Sequence, residues 1–221
     1  MPRAAGGVDT EDFFVHSYLG FGVEKMAETY DAWASSGGLQ KEDPCAPPGY
    51  ASKGRVGTGN YGACKEALTK ALKLECPPSG GRCVMDGVTL PAVGSDAKFI
   101  GMSVYFFALR TVFSALGKAG LPSFSWPSPS LQELRAGAAQ FCGMPWRRLE
   151  GLAGEEGWEK FMGDAAQRLV ELPDRCKQAA YIDLLLGNVV GVQPDKHSVM
   201  VRDWEIVGKK RQEESGYKQY F

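Results

Sequence analysis

A histidine beside a serine, His16-Ser17, is the pair in this sequence that most suggests nucleophilic catalysis. That chemistry needs the imidazole within hydrogen-bonding reach of the hydroxyl and an acid that orients the imidazole. No recognisable motif places an Asp or Glu for this task, and neighbouring residues on a strand point to opposite faces. We therefore expect His16 to be a structural histidine under a turn, and we assign no catalytic residue.

The cysteines form the second set that could do chemistry, and there are six of them: Cys45, Cys64, Cys76, Cys83, Cys142 and Cys176. Zinc sites favour closely spaced pairs, and only His16 and His197 could complete one, so we assign no metal site. An even number of cysteines without a CxxC pair favours disulfides, which form in an oxidising compartment. Spacing alone leaves their connectivity open.

A glycine-rich segment, residues 54–60 with the sequence GRVGTGN, has the composition of a phosphate-binding loop. It lacks the lysine followed by Ser or Thr of a P-loop, and the pattern predicts no strand ahead of it in a βαβ frame. A turn with Asn60 as the N-cap of the next helix is the better interpretation.

The overall composition excludes several classes of protein. A net charge of −1 gives no support for nucleic acid or an anionic membrane as a partner. No apolar run approaches the ~18 residues that span a bilayer. The first residues also lack the apolar segment of a signal peptide, which conflicts with disulfides. A fragment whose true N-terminus lies upstream would remove that conflict.

Strands and helices alternate in the elements that would position these residues. A strand at 13–15 leads through Gly20 and Gly22 into an amphipathic helix at 21–34. Loops are expected at 39–59 and at 117–129, the second with exposed Phe124 and Trp126, and Asp86-Gly87 marks a hairpin turn. Further helices are predicted at 61–74, 104–117, 130–142, from Pro145, 158–169 and 177–186, and further strands at 98–102 and 198–206. Ser130 and Glu133 have the spacing of a capping box at the start of the helix at 130–142.

Seven short strings, in order, resemble the nucleoside triphosphate diphosphohydrolase (apyrase) family. They are FVHSYLGFG (14–22), DPC with a following PPGY (43–50), GTGNYGAC (57–64), CPPSGGRC with MDGV (76–88), KFIGMSVYFF (98–107), FCGMPW (141–146) and DRCKQAAYIDLLL (174–186). Each string is weak alone, and their shared order over residues 12–192 makes the resemblance fairly specific.

The resemblance implies an α/β lobe of ribonuclease H-like (actin-like ATPase) fold, the C-terminal half of a two-lobe nucleotide phosphatase with several helices and disulfides. Members release the terminal phosphate of nucleoside di- and triphosphates with a divalent cation, Ca or Mg. The implied division is a disordered segment at 1–10, the lobe at 11–207 and a divergent charged tail at 208–221. The implied location is the lumen of the secretory pathway or the cell exterior.

The resemblance also implies roles for individual residues. Phe107 is expected to stack on the nucleobase, with Tyr105 as the alternative if the alignment shifts by two residues. Arg175 stands where some members carry a tyrosine for the second face of the base, and a guanidinium can stack there. Val23 replaces an arginine of some members, which puts base affinity in doubt. The implied disulfides join Cys45 to Cys64, Cys76 to Cys83 and Cys142 to Cys176.

The family's DAGST- and DLGGAS-type phosphate-binding motifs and its water-activating glutamate precede HSYLGFG, and the present sequence contains none of them. We therefore expect a fragment that supplies the base-binding side of the cleft, needs a missing N-terminal lobe, binds no metal by itself and is inactive alone. The alternative is a non-catalytic lobe that binds a nucleotide or a protein.

Overall fold

The computed structural model of the chain describes residues 17–94, 96–155 and 171–202. Its helices are α1 (Val23–Trp33), α2 (Tyr61–Ala71), α3 (Val104–Lys118), α4 (Leu131–Cys142), α5 (Trp146–Ala153) and α6 (Arg175–Asp183). Its strands are β1 (Glu42–Asp43), β2 (Ala51–Ser52), β3 (Arg55–Gly57), β4 (Phe99–Gly101) and β5 (Val199–Val201). This mixture of helices and strands, joined by disulfides, is consistent with the expected α/β class.

Several expectations lie outside the described residues. These are the strand at 13–15, His16, the helix at 158–169, the segments 1–10 and 208–221, and the end of the strand predicted at 198–206.

Two helices begin at the caps that the sequence predicts. The Asn60 side chain accepts a hydrogen bond from the Ala63 backbone N–H at 3.0 Å and begins α2. Ser130 and Glu133 form a reciprocal capping box at the start of α4, with each backbone N–H donating to the other side chain. Each cap stabilises its helix by about 1 kcal/mol, so short sequence patterns decide these boundaries.

The prediction of a loop at 39–59 is wrong in one respect, because this segment contains a three-stranded sheet in the order β1-β3-β2. β1 pairs with β3 in parallel and β2 pairs with β3 antiparallel. Each strand has only two or three residues, which is too short to show an alternating pattern. Pairing between strands, rather than local sequence, therefore defines this sheet.

The glycine-rich segment at 54–60 contains β3, and the strand before it, β2, pairs with β3 antiparallel rather than in a βαβ frame. A Cβ on Gly57 would lie 2.1 Å from the Pro47 carbonyl oxygen, and one on Gly59 would lie 2.0 Å from that of Cys142. Gly59 also has a φ of +62°. Both glycines are required because other backbone segments fill the loop, which supports the interpretation as a turn and helix cap.

α6 is the central helix, and two apolar clusters share it. In the first cluster Ile182 packs with buried residues of α3, α4 and α5 and with β5. In the second cluster Tyr181 packs with α1, α2 and the Cys45–Cys64 region. β4 and β5 form a parallel pair at the side of the first cluster, with Ile100 opposite Met200.

The predicted exposure of Phe124 and Trp126 is wrong. Phe124 is 4% exposed and contacts α4 so closely that a Cβ on Gly137 would lie 2.7 Å from its ring. Trp126 is half-buried, with its ring centroid 5.5 Å from that of Phe113. The loop carries both rings onto α3, because burial of large aromatic side chains outweighs the polar character of their neighbours.

Three disulfides join Cys45 to Cys64, Cys76 to Cys83 and Cys142 to Cys176, the pairs that the resemblance implies. The third joins the end of α4 to the start of α6. At the predicted hairpin, Asp86 and Gly87 both have positive φ, and Met85 and Val88 form a bridge around them. The described helices include none that is both long and apolar enough to cross a membrane.

Candidate functional site

Phe107 lies in the first turn of α3 and its side chain is 40% exposed. Phe106 beneath it is 5% exposed, and the two rings meet edge to face at a centroid distance of 5.4 Å. The Arg110 guanidinium covers the Phe106 ring at 5.1 Å. An exposed ring is thus held on a helix whose opposite face is buried in the core.

The turn before α3 fixes where that ring projects. Ser103, the residue before the helix, has a φ of +55°, which non-glycine residues rarely adopt. Its carbonyl accepts the Phe107 backbone N–H at 3.0 Å, which continues the helix from this turn. The short β4 and this left-handed residue together set the direction of the first turn.

Tyr105 projects in a different direction from Phe107, because residues two apart on a helix differ by about 200°. Its side chain is half-buried, and burial raises the pKa of its hydroxyl. Burial, and then the proximity of Tyr105, raise the pKa of Tyr181 on α6. The Tyr105 side chain packs against the first apolar cluster, and of the two aromatic candidates Phe107 has the more accessible ring.

Arg175 is the first residue of α6 and is 6% exposed. Its guanidinium donates to Gln178 at 2.6 Å and forms an ion pair with Glu171. Burial lowers its pKa, and the nearby carboxylates of Glu171 and Asp174 oppose that effect. The terminal nitrogens of this guanidinium thus bind residues on or next to α6, and neither partner is an aromatic ring.

A buried charged group that we name the Asp183 cluster joins α2, α4 and α6. Asp183 is fully buried, and its Oδ2 accepts hydrogen bonds from Tyr61 Oη at 2.8 Å and Lys65 Nζ at 2.5 Å. Its Oδ1 accepts from Arg135 Nε at 2.7 Å. Burial, and then the adjacent carboxylate, raise the pKa of Tyr61, while Arg135 opposes this shift.

Sequence reasoning missed the Asp183 cluster. The one available signal was Asp183 itself, a single charge inside the apolar run at 181–186. Because the described donors occupy both carboxylate oxygens, Asp183 is poorly placed to accept a proton from a substrate. The cluster is best explained as a structural junction between three helices.

Within 17–94, 96–155 and 171–202, no group of three or more His, Cys, Asp or Glu side chains is placed to hold a metal ion. These residues therefore do not fit the divalent cation that the resemblance implies, and we derive no step through one. His197 is exposed; its Nδ1 lies 2.6 Å from the Ser128 carbonyl oxygen and 3.6 Å from the Glu133 carboxylate.

Known proteins provide the remaining evidence on this site. A sequence model of the GDA1/CD39 (nucleoside phosphatase) family matches residues 7–210. The chain belongs to this family. The apyrase resemblance is thereby confirmed, and the matched range contains Phe107, Tyr105 and Arg175, whose roles stay predictions.

Three curated relatives of this GDA1/CD39 chain show modest identity. The Golgi apyrase of Saccharomyces cerevisiae is 26% identical over an alignment of 167 residues that covers 65% of this chain. Ectonucleoside triphosphate diphosphohydrolase 8 of Bos taurus is 30% identical over an alignment of 151 residues that covers 66% of this chain. The Golgi apyrase of Schizosaccharomyces pombe is 28% identical over an alignment of 121 residues that covers 50% of this chain. The matches span 25%, 25% and 21% of the relatives' own lengths, so the chain corresponds to about a quarter of each.

Proposed function

We propose that this GDA1/CD39 chain supplies the base-binding side of a cleft that hydrolyses nucleoside di- and triphosphates. The observation that carries the proposal is the 40% exposure of the Phe107 ring, in the segment where the resemblance implies a stacking ring. Family membership and relatives named apyrase and triphosphate diphosphohydrolase support the substrate class. The secretory lumen or cell exterior is the proposed location, supported by relatives named Golgi apyrase and by the three disulfides.

Stacking on Phe107 is chemically suited to a nucleobase. An aromatic side chain stacked on a base contributes about 1–3 kcal/mol, and it tolerates different bases because each has a π-face. The ring is positioned before binding, because Phe106, Leu109 and Val112 anchor the opposite face of α3 in the core. Little conformational freedom is then lost when a base binds.

The phosphate end of the substrate needs groups that these residues do not supply. The sequence contains neither the DAGST- nor the DLGGAS-type motif. We therefore assign the phosphates, the divalent cation and the attacking water to another lobe, and residues 11–207 to a lobe of ribonuclease H-like α/β fold. The parallel pairing of β4 with β5 beside buried helices is compatible with such a lobe.

Calorimetric titration of the 221-residue chain with nucleoside di- and triphosphates tests the base site. Phe107→Ala should weaken binding by about 10-fold, and Phe107→Tyr should retain it because the ring remains. Leu19→Ala is the control, since Leu19 is an exposed apolar residue at 83% exposure. Equal affinity in the wild type and Phe107→Ala would contradict the assignment of Phe107.

A phosphate-release assay tests the second half of the proposal. With calcium or magnesium, the purified chain should release no phosphate above the blank from nucleoside di- or triphosphates. Turnover that copurifies with the chain through two independent columns would show that these residues contain a complete active site.

A non-catalytic lobe that binds a nucleotide or a protein is the second candidate. Exposed apolar side chains on and next to the β4–β5 pair favour its protein-binding form: Ile100 at 67%, Met102 at 48% and Met200 at 39% exposure. A folded chain that gives no heat with any nucleotide would favour protein binding. The nucleotide-binding form would be favoured by two results together: a heat of nucleotide binding that is lost in Phe107→Ala, and no turnover after the phosphate-binding lobe is added.

A further inference from the structure

A pocket of about 140 Å³ opens between the small sheet, α1 and the start of α6. Its charged lining consists of Asp31, Asp43, Lys53, Arg55, Asp174 and Lys177, and we name it the Arg55 pocket. Neither Phe107 nor Asp183 lines it. Whole small-molecule ligands occupy pockets of roughly 300–1,000 Å³, so this volume suits a small group rather than a nucleotide.

Two ammonium groups and the carboxylates of this pocket are partnered. Lys53 Nζ lies 2.5 Å from Asp31, and Lys177 Nζ lies 2.9 Å from Asp174 and 3.8 Å from Asp31. Asp43 accepts two hydrogen bonds on one oxygen, Oδ1, from Tyr30 Oη at 2.7 Å and the Cys45 backbone N–H at 2.9 Å. Burial alone would lower the pKa of Lys177, but Asp174 and Asp31 outweigh it and hold the pKa above its ordinary value.

Arg55 differs from the other charged groups of the pocket. It is 7% exposed, its Nε has no hydrogen-bond partner, and no described residue forms an ion pair with its guanidinium. Leaving a buried donor without an acceptor costs about 1–3 kcal/mol. Arg175 also has an unbonded Nε, but its terminal nitrogens bind Glu171 and Gln178.

The register of β3 explains why the Arg55 side chain lies inward. Successive residues of a strand point to opposite faces. In β3 the central residue, Val56, is 49% exposed, while Arg55 and Gly57 on either side are buried. The chain thus exposes an apolar residue and buries a cation, the reverse of what stability alone favours. An arrangement of this kind is expected where the cation has a ligand.

We propose that the Arg55 pocket binds one small oxyanion, a carboxylate or phosphate group, on the Arg55 guanidinium. Both groups offer paired oxygens that match the planar fork of N–H donors. Tyr50 and Ser52 also line the pocket. The carboxylates of the lining would repel additional negative charge, which favours a single anionic group. The proposal does not depend on base binding at Phe107.

Nuclear magnetic resonance of the full chain labelled with ¹⁵N-arginine tests the site directly. Orthophosphate and acetate are titrated separately, each against sodium chloride at matched ionic strength. One Nε–H signal, assigned to Arg55 by its loss in Arg55→Lys, should shift and saturate with at least one oxyanion. Saturation by phosphate alone identifies a phosphate group as the ligand, and saturation by acetate alone identifies a carboxylate. Saturation by both shows that the pocket accepts either kind of oxyanion. An equal shift with chloride, or no saturating shift, would overturn the proposal.

Calorimetry on variants provides the second test. Arg55→Met, which keeps the aliphatic stem, should weaken the active oxyanion by at least about 10-fold, because charge-assisted hydrogen bonds are lost. Arg147→Met is the matched control, since Arg147 is an exposed arginine of α5. Wild-type affinity in a folded Arg55→Met variant would overturn the proposal. If that variant does not fold, the magnetic-resonance titration of the wild type decides the question. Phe107→Ala should leave anion binding unchanged, which separates a failure here from a failure of the base site.

Discussion

Asp183 and Arg55 are both buried charged side chains, and their surroundings differ. Asp183 is fully buried and receives three donors at 2.5–2.8 Å from α2 and α4. Arg55 is 7% exposed and its Nε has no acceptor, although carboxylates of α1 and β1 line the same pocket. The first charge is matched by groups in its own fold, and the second is not.

This difference separates a structural charge from a charge that is available to a ligand. A buried ion with every hydrogen-bonding position filled fixes how helices meet, and it loses much stability when one partner is removed. A buried ion without partners gains nothing from the fold and can gain from a molecule that enters the adjoining space. Stability measurements on single variants therefore distinguish the two groups.

The largest expected effect is at Asp183. Asp183→Asn removes the negative charge between Lys65 and Arg135 and should lower the free energy of unfolding by about 3 kcal/mol. This is the lower end of the range for buried pairs, since the side chains of Lys65 and Arg135 are 21% and 36% exposed and regain some water. Urea unfolding measures the loss. Asp195→Asn is the control, because Asp195 is exposed; an equal, small effect in both variants would contradict the structural role.

The neutral donor of the same cluster should have the next largest effect. Tyr61→Phe removes one hydrogen bond to a charged acceptor and should cost about 2 kcal/mol in urea unfolding. Tyr50→Phe is the matched control, since it removes the hydroxyl of a half-buried tyrosine outside the Asp183 cluster, and it should change stability by less than about 0.5 kcal/mol. A larger loss at Tyr50 than at Tyr61 would reverse the comparison.

Local patterns predicted the helix starts, because the groups that decide them lie within three residues of one another. Asn60 with Ala63 and Ser130 with Glu133 are such pairs. The donors to Asp183 are 122, 118 and 48 residues away in sequence, so no local pattern could indicate the cluster. The small sheet was missed for the same reason, since pairing across the loop defines its short strands.

The candidate functional residues likewise divide into those that the sequence indicated and those that only the structure reveals. Phe107 was selected by a family string, and the structure adds that its ring is exposed while Tyr105 is half-buried against the first apolar cluster. The disulfide pairs were likewise implied by the family, because spacing could not choose among connectivities. The state of Arg55 depends on the register of β3 and on which carboxylates already have partners, and only the three-dimensional arrangement reveals both.

Replacing Arg55 should have an effect of opposite sign to that at Asp183. In buffer without phosphate or carboxylate anions, Arg55→Met should raise the free energy of unfolding by about 1 kcal/mol, because it removes an unpartnered buried charge and keeps the packed stem. Added phosphate or acetate should stabilise the wild type and not the variant. A loss of about 3 kcal/mol, as at Asp183, would show that Arg55 is a structural charge after all.

The smallest expected effect is on the pH dependence of the Asp183 cluster. Burial, and then the Asp183 carboxylate, raise the pKa of Tyr61 above its ordinary value of 10.0. The unfolded chain therefore releases this proton first as the pH rises, so the stability contributed by Tyr61 is complete well below about pH 10 and declines as the pH approaches and exceeds that value. Tyr61→Phe lacks this proton, so its deficit relative to the wild type should shrink by about 0.4 kcal/mol between about pH 8 and pH 10. Asp195→Asn, which changes an exposed side chain, is the control and should differ from the wild type by a constant amount over this interval. Urea unfolding at both pH values measures the change. A deficit that grows with pH would mean that Asp183 favours the ionised form of Tyr61. That result would contradict the observed geometry, in which the Tyr61 hydroxyl donates to the carboxylate.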